Sequence, residues 1–273
     1  MEMSAMNQNI RIGALISGSG TNLQAIMDAC ESGQIRGRIV FIGSDNPDSE
    51  GLKRGEKFKI PSFVVDYGSI VRRFNKSPEK AKLPDDFDLN EILSKQHLFP
   101  AGADKEKTKA FFTTRAIAEA MLLDKMKNYP FDLLVLAGFM RNLTPYFIDR
   151  VNMVPDDPKI MNIHPALLPA FPGIDGYGDT FRYGCKIGGC TVHFVDYGED
   201  SGPIIAQKAY MISEDDTIES VRKKGLKIEW ALYPECVKLF AEGRLKTVRM
   251  SYGLKSDKKM HRTVVKILPS PKG

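Results

Sequence analysis

IRIGALISGSGTNLQAIMDACESG, Ile10 to Gly33, opens on apolar and β-branched residues, breaks at a serine–glycine loop, and resumes with apolar residues at helical spacing. Ile10 to Ser17 reads as a buried strand. Thr21 to Ser32 reads as a helix with Leu23, Ile26, Met27 and Cys30 on one face, stopped by Gly33. A strand feeding a helix through a short glycine loop is half of a parallel crossover unit, and the alternation continues downstream. Further strands are expected at Arg38 to Ser44, Ser62 to Asp66, Asp132 to Gly138, Lys159 to His164, Gly189 to Val195 and Ile204 to Ile212. Helices are expected at Ser49 to Lys57, Thr108 to Asn128, Thr144 to Val151 and Thr217 to Glu242, the last with Gly225 as a weak point. The fold class is α/β: a Rossmann-like, mostly parallel sheet flanked by helices.

The pattern lapses between Gly68 and Lys107, which is charged, carries Pro78, Pro84 and Pro100, and keeps no long apolar period. That segment reads as an insertion into a single domain covering residues 1–245, either partly ordered or a helical surface excursion. Residues 246–273 read as a basic, solvated extension (Lys255, Lys258, Lys259, Arg262, Lys266, Lys272). With 273 residues, 42% of them hydrophobic, the chain can bury a sizeable core. Its net charge of +5 is modest and suits an anionic small molecule as well as a nucleic acid.

The four cysteines show no paired C-x-x-C spacing, and the C-x-x-H of Cys190 and His193 has no second ligand pair, so no metal site is expected. No apolar run approaches ~18 residues and no basic-then-apolar leader opens the chain, so a soluble, cytoplasmic protein without a membrane span is expected.

Four stretches carry chemistry. SGSGTNLQ, Ser17 to Gln24, ends the first strand. Its glycines can turn backbone N–H groups outward beside a helix N-terminus, which makes an anion cradle; a tight turn with no ligand fits equally well. The missing Gly-Lys-Ser/Thr and G-x-G-x-x-G patterns exclude a P-loop and a dinucleotide fingerprint. LAGFMRNL, Leu136 to Leu143, follows a buried strand at the end where ligands bind in such sheets, and Met140 and Leu143 can form an apolar wall or plain core. KIMNIHPALLPAFPG, Lys159 to Gly173, sets Asn162 and His164 on one side of a strand that the His–Pro junction ends. An amide beside an imidazole suits oxyanion stabilisation and proton transfer near neutral pH. GCTVHFVDYGEDSGPIIAQ, Gly189 to Gln207, places Asp200 in a loop from which a carboxylate can reach that imidazole, while His193 sits inside the apolar alternation as a hydrogen-bonded structural residue.

Taken together and in this order, these stretches and EWALYPE (Glu229 to Glu235) resemble the glycinamide ribonucleotide transformylase family within the folate-dependent formyltransferases. The likeness runs from Arg11 to about Leu245. It implies the formyltransferase fold, 10-formyltetrahydrofolate as cosubstrate, glycinamide ribonucleotide as acceptor in purine biosynthesis, and no metal, nucleic acid or membrane partner; it leaves room for a homodimer. It implies Asn162, His164 and Asp200 as the catalytic trio, Gly20, Thr21 and Asn22 at the substrate phosphate, and Glu229 at the ribose. Met140, Arg141, Leu143 and Arg115 fall along the folate groove. Two departures stand out: Asp175 follows Ile174 where the family carries histidine, at the border of the groove, and the Gly68–Lys107 insertion has no counterpart in compact members. The alternatives are another folate-dependent formyltransferase, a formyltetrahydrofolate hydrolase and an inactive binding homologue. The short segment before Ile10 argues against the hydrolases' extra N-terminal domain, and the short segment after Leu245 against a tRNA-binding domain.

Overall fold

The computed structural model describes residues 9–154, 156–253 and 259–270. The opening unit is β1 (Ile10–Ile16) followed by α1 (Thr21–Glu31). Next come β2 (Gly37–Ser44), α2 (Leu52–Phe58), β3 (Ser62–Val64), α3 (Tyr67–Lys76), α4 (Leu89–Lys95) and α5 (Lys105–Met126). The second half runs through β4 (Leu133–Leu136), α6 (Pro145–Val151), β5 (Ile160–His164), α7 (Gly176–Arg182), β6 (Ile187–Phe194), β7 (Ile204–Met211) and α8 (Ile218–Ala241), then β8 (Leu245–Gly253) and β9 (Lys259–Ile267).

The main sheet has seven strands in the order β3-β2-β1-β4-β5-β6-β7. The first five are parallel, and β6 and β7 add on antiparallel. The mostly parallel sheet therefore stands as read. Alternation along β1 sends Ile12, Ala14 and Ile16 to one face, against Leu23 and Ile26 of α1 and Leu232, Tyr233 and Val237 of α8. Leu15 faces the other way, into a cluster with Phe41, Leu122 and Met126 of α5, and Phe147 and Ile148 of α6. Each such aliphatic or aromatic side chain contributes about 1.5–3 kcal/mol by leaving water.

The strand order reverses between β1 and β4, so a crevice opens beyond their carboxyl ends, where α/β sheets bind ligands. The Ser17 N–H donates to Gly138 O (3.0 Å) and the Met140 N–H to Ser17 Oγ (2.8 Å), tying the glycine loop to the 138–143 loop across this switch point.

The insertion is ordered. Asp66, Asp88 and Asp104 cap the N-termini of α3, α4 and α5 by accepting from backbone N–H groups. Around α4 a satellite core forms from Ile92, Phe87, Leu89, Leu98 and Phe99 against Phe112, Ala116 and Tyr146. The segment read as a solvated basic extension forms instead, over its described part, the antiparallel β8–β9 hairpin, with Leu245 and Val265 packed on the main core. Lys255, Lys258 and Lys272 lie outside the described residues. No helix among the described residues is long and apolar enough to cross a membrane.

Candidate active site

β5 delivers Asn162 and His164 to a cleft of about 400 Å³ at the switch point, and the loop between β6 and β7 brings Asp200 to meet them. The His164 Nδ1 lies 3.1 Å from Asp200 Oδ2, which also accepts the Gly173 N–H at 2.9 Å. His164 Nε2 lies 2.7 Å from the Phe171 carbonyl. Both ring nitrogens thus face acceptor oxygens, an arrangement that only the doubly protonated imidazolium satisfies. Burial works against that charge, but the Asp200 hydrogen bond and charge, the Phe171 carbonyl and Glu229 outweigh it and hold the His164 pKa above its ordinary value. Burial likewise would raise the Asp200 carboxyl. The contacts with His164 and His193 and the Gly173 N–H prevail and keep it well below the usual carboxylate range.

Asp200 adopts φ 48°, a left-handed backbone that costs a residue with a Cβ roughly 1–3 kcal/mol and persists only where its surroundings hold it. Asn162 Nδ2 sits 3.4 Å from Asp200 Oδ1 and 3.2 Å from His193 Nε2. His193 Nδ1 is 2.9 Å from Phe194 O, which places its proton on Nδ1 and leaves Nε2 to accept from Asn162. His193 is hydrogen-bonded, as the alternation implied, but it also lines the cleft and contacts the Asn162 amide. The reason is cross-strand: Asn162 and His193 are register partners between β5 and β6. Cys190, by contrast, is buried in the core on the α8 side.

The other named residues divide. Asn22 and Glu229 line the cleft, joined by a 2.6 Å hydrogen bond from Asn22 Nδ2 to the buried Glu229 carboxylate. Gly20 and Thr21 do not line it; they form the mouth of α1 beside it. Gly20 adopts φ 68°, which favours glycine, and no side chain caps the helix, so its first N–H groups stay available to an anion. The loop's carbonyls point elsewhere: Gly18 O accepts from Ser49 Oγ and the Gly51 N–H, and Ser19 O from Arg54 Nε.

Met140, Arg141, Leu143 and Arg115 all line the cleft. Arg141 pairs with buried Asp45 at 2.5 Å, and both arginines lie over the Tyr67 ring, at 5.8 and 5.2 Å. Arg115 Nε is buried without a partner.

Tyr177 escaped the sequence reading. It lines the cleft from α7 and donates its hydroxyl to Glu229. Gly225 of α8 makes room for it: a Cβ there would lie 2.1 Å from the Tyr177 ring, so the weak point in that helix was the legible signal. Burial pushes the Glu229 carboxyl up, against the lowering effect of Asn22 and Tyr177. Asp175 does not line the cleft; its neighbours Ile174 and Tyr177 do. It caps α7 at the Gly178 N–H (3.2 Å) and pairs with Arg182 (2.9 Å) and Arg222 (3.4 Å), so its charge is neutralised outside the groove.

Comparison with known proteins now decides the family. A family model described as formyl transferase matches residues 10–237. The chain belongs to the formyl transferase family. Among relatives of this formyl transferase, the phosphoribosylglycinamide formyltransferase of Haemophilus influenzae is 34% identical over 236 residues, 86% of this chain and 89% of that one. The Bacillus subtilis protein of the same name is 31% identical over 228 residues, 84% of this chain and 93% of its own length. The crystal structure of glycinamide ribonucleotide transformylase 1 from Symbiobacterium toebii superposes with a TM-score of 0.66 at 35% identity, over 95% of this chain and 94% of that one. The formyltransferase fold expected from the motifs is the fold of this neighbour.

Proposed function

We propose that this formyl transferase moves the formyl group of 10-formyltetrahydrofolate onto the amine of glycinamide ribonucleotide, a step in purine biosynthesis. The observation that carries the reading is the convergence of Asn162, His164 and Asp200 in one cleft with the Asn22–Glu229 pair and the Met140–Leu143 wall. Relatives similar in sequence across most of their length, and a solved structure sharing the fold, are named for formyl transfer to this ribonucleotide.

In this mechanism the neutral amine attacks the formyl carbon, giving a tetrahedral intermediate whose oxygen turns toward His164 Nε2–H and an Asn162 amide N–H. An oxyanion is a stronger acceptor than the Phe171 carbonyl that lies 2.7 Å from Nε2. The proton therefore re-aims as charge develops, which favours the transition state over the ground state. Asp200 keeps His164 charged and oriented, and helps a water take the proton that the amine gives up. Collapse breaks the bond to the folate nitrogen, which leaves as the N–H form after taking up the amine's proton from that water. The mouth of α1, with Gly20, Thr21 and Asn22, receives the phosphate, Glu229 takes the ribose hydroxyls, and Met140, Arg141, Leu143 and Arg115 receive the folate.

The reading is tested by mixing purified protein with 10-formyltetrahydrofolate, with and without glycinamide ribonucleotide. Tetrahydrofolate release that requires the amine is expected; release without it, or binding without turnover, would sink the proposal. A Glu229→Gln variant loses a charge-assisted hydrogen bond of about 1.5–3 kcal/mol to the ribose. Its KM for the ribonucleotide is expected to rise roughly ten- to a hundred-fold, with the folate KM unchanged. Steady-state titration of each substrate checks this, and an unchanged ribonucleotide KM removes Glu229 from that role.

A further inference from the structure

The Gly68–Lys107 insertion contributes no residue to the cleft, although Gly68 and Arg72 line an adjoining hollow with Met140 and Arg141. Its α4 end meets the loop between β6 and β7. The His97 N–H donates to the Tyr197 carbonyl at 2.9 Å, three residues ahead of Asp200 in the chain. A Cβ on neighbouring Gly198 would lie 3.5 Å from His97 Cβ, so the two segments abut. The Tyr197 hydroxyl donates to Asp149 Oδ1 on α6, and Lys95, the last residue of α4, holds the other oxygen of that carboxylate at 2.8 Å. Lys95 is fixed in turn by Glu91 at 2.6 Å, and α4 by its own satellite core. Asp86, further along the insertion, ties to Tyr146 (2.9 Å) and Arg150 (2.6 Å) of the same α6.

We infer that this insertion is a brace for the Asp200 loop, with Lys95 as a positioning residue acting through Asp149 and Tyr197. The loop needs one. Asp200 holds a left-handed backbone, and the loop's own bonds, Asp196 to the Gly198 N–H (3.1 Å) and to Ser201 Oγ (2.6 Å), close a turn without tying it to the body of the protein. Outside ties come from Asn142 to Glu199 (3.0 Å), from Gly173 to Asp200, and from the insertion at Tyr197. A carboxylate that must stay 3.1 Å from His164 is sensitive to small displacements of its loop. The inference rests on the proposed role of Asp200, and its test separates the two.

The experiment pairs kinetics with an NMR titration of the His164 imidazole in Lys95→Met, Lys95→Arg and Asp149→Asn. Lys95→Met is expected to lose roughly ten-fold in kcat, with both KM values within about two-fold of wild type. The His164 titration is expected to move to lower pH, because a displaced Asp200 supports the imidazolium less well. Lys95→Arg restores both, and Asp149→Asn gives the same downward move. Sign discriminates for Lys95→Met: loss of a distant cation alone would move His164 upward, whereas loss of the Asp149 charge moves it downward with or without a displaced loop. An upward move, or unchanged kcat and titration, overturns the brace. Absence of amine-dependent transfer in the wild type defeats the proposed function instead, and the His164 titration still decides the brace.

Discussion

An Asp200→Asn variant is expected to fold, bind both substrates, and lose on the order of 10²–10³ in kcat. Asparagine keeps the shape and can still accept the Gly173 N–H, but its amide cannot offer His164 and Asn162 the charge that both now face. The imidazolium loses its counter-ion, so the basic limb of the kcat–pH profile should move to lower pH. In the proposed mechanism protonated His164 is the active form; its pKa is raised in the wild type, and that support is what the substitution removes. Stability follows the same pair. The depressed Asp200 contributes stability above its unfolded value near ~3.9, lost as pH falls toward its folded value; the raised His164 contributes below ~6.5, lost as pH rises through its folded value. The wild type's advantage over the variant is therefore largest between those two limits, which thermal melts across pH will check. Asn162→Ala should lose a similar factor in kcat while leaving the basic limb in place, because it removes an oxyanion donor and not the proton's support. Near-wild-type turnover in Asp200→Asn, or an unmoved basic limb, refutes this division of labour.

What the sequence disclosed depended on how local each signal was. Asn162 and His164 were legible because strand alternation and the His–Pro junction are properties of neighbouring residues. The contact of His193 with Asn162 was not, because it is set by which strands pair and in what register, and no local pattern encodes that. Asp175 shows the opposite error. Its position in the motif pointed to the groove, but a residue that caps a helix turns its side chain back to the helix's own N–H groups, and Arg182 and Arg222 complete its environment. The helices of the insertion were hidden by three prolines and a weak apolar period, although Asp66, Asp88 and Asp104 each stood at a readable cap. In the β8–β9 hairpin, the basic composition masked an alternation that places Leu245, Thr247 and Arg249 on one side of their strand.

The second large expected effect concerns Glu119, which no motif marked. It is fully buried on α5, one helical turn after Arg115, and accepts from the Thr144 N–H (2.9 Å) and Thr144 Oγ1 (2.5 Å) where the 138–143 loop enters α6. Burial favours the neutral acid, while the two Thr144 donors and nearby Arg115 and Arg150 favour the carboxylate. Burial wins, and the pKa is pushed up from 4.5 to about 7. A raised acid pKa means the folded state holds its proton more tightly than the unfolded chain. Glu119 therefore favours folding fully below about 4.5, and that contribution drains away as pH rises to about 7. Glu119→Gln can accept from the same N–H and cannot ionise. Its stability relative to wild type should accordingly grow by about 3 kcal/mol between pH 4 and pH 8, the worth of a shift from 4.5 to about 7. In a chain of this size that is roughly 5–10 °C in relative Tm. Paired thermal melts across that range decide the matter: a difference between the two proteins that does not change with pH would show that Glu119 stays in one protonation state, and that the 138–143 loop is pinned by a group which does not titrate near neutrality.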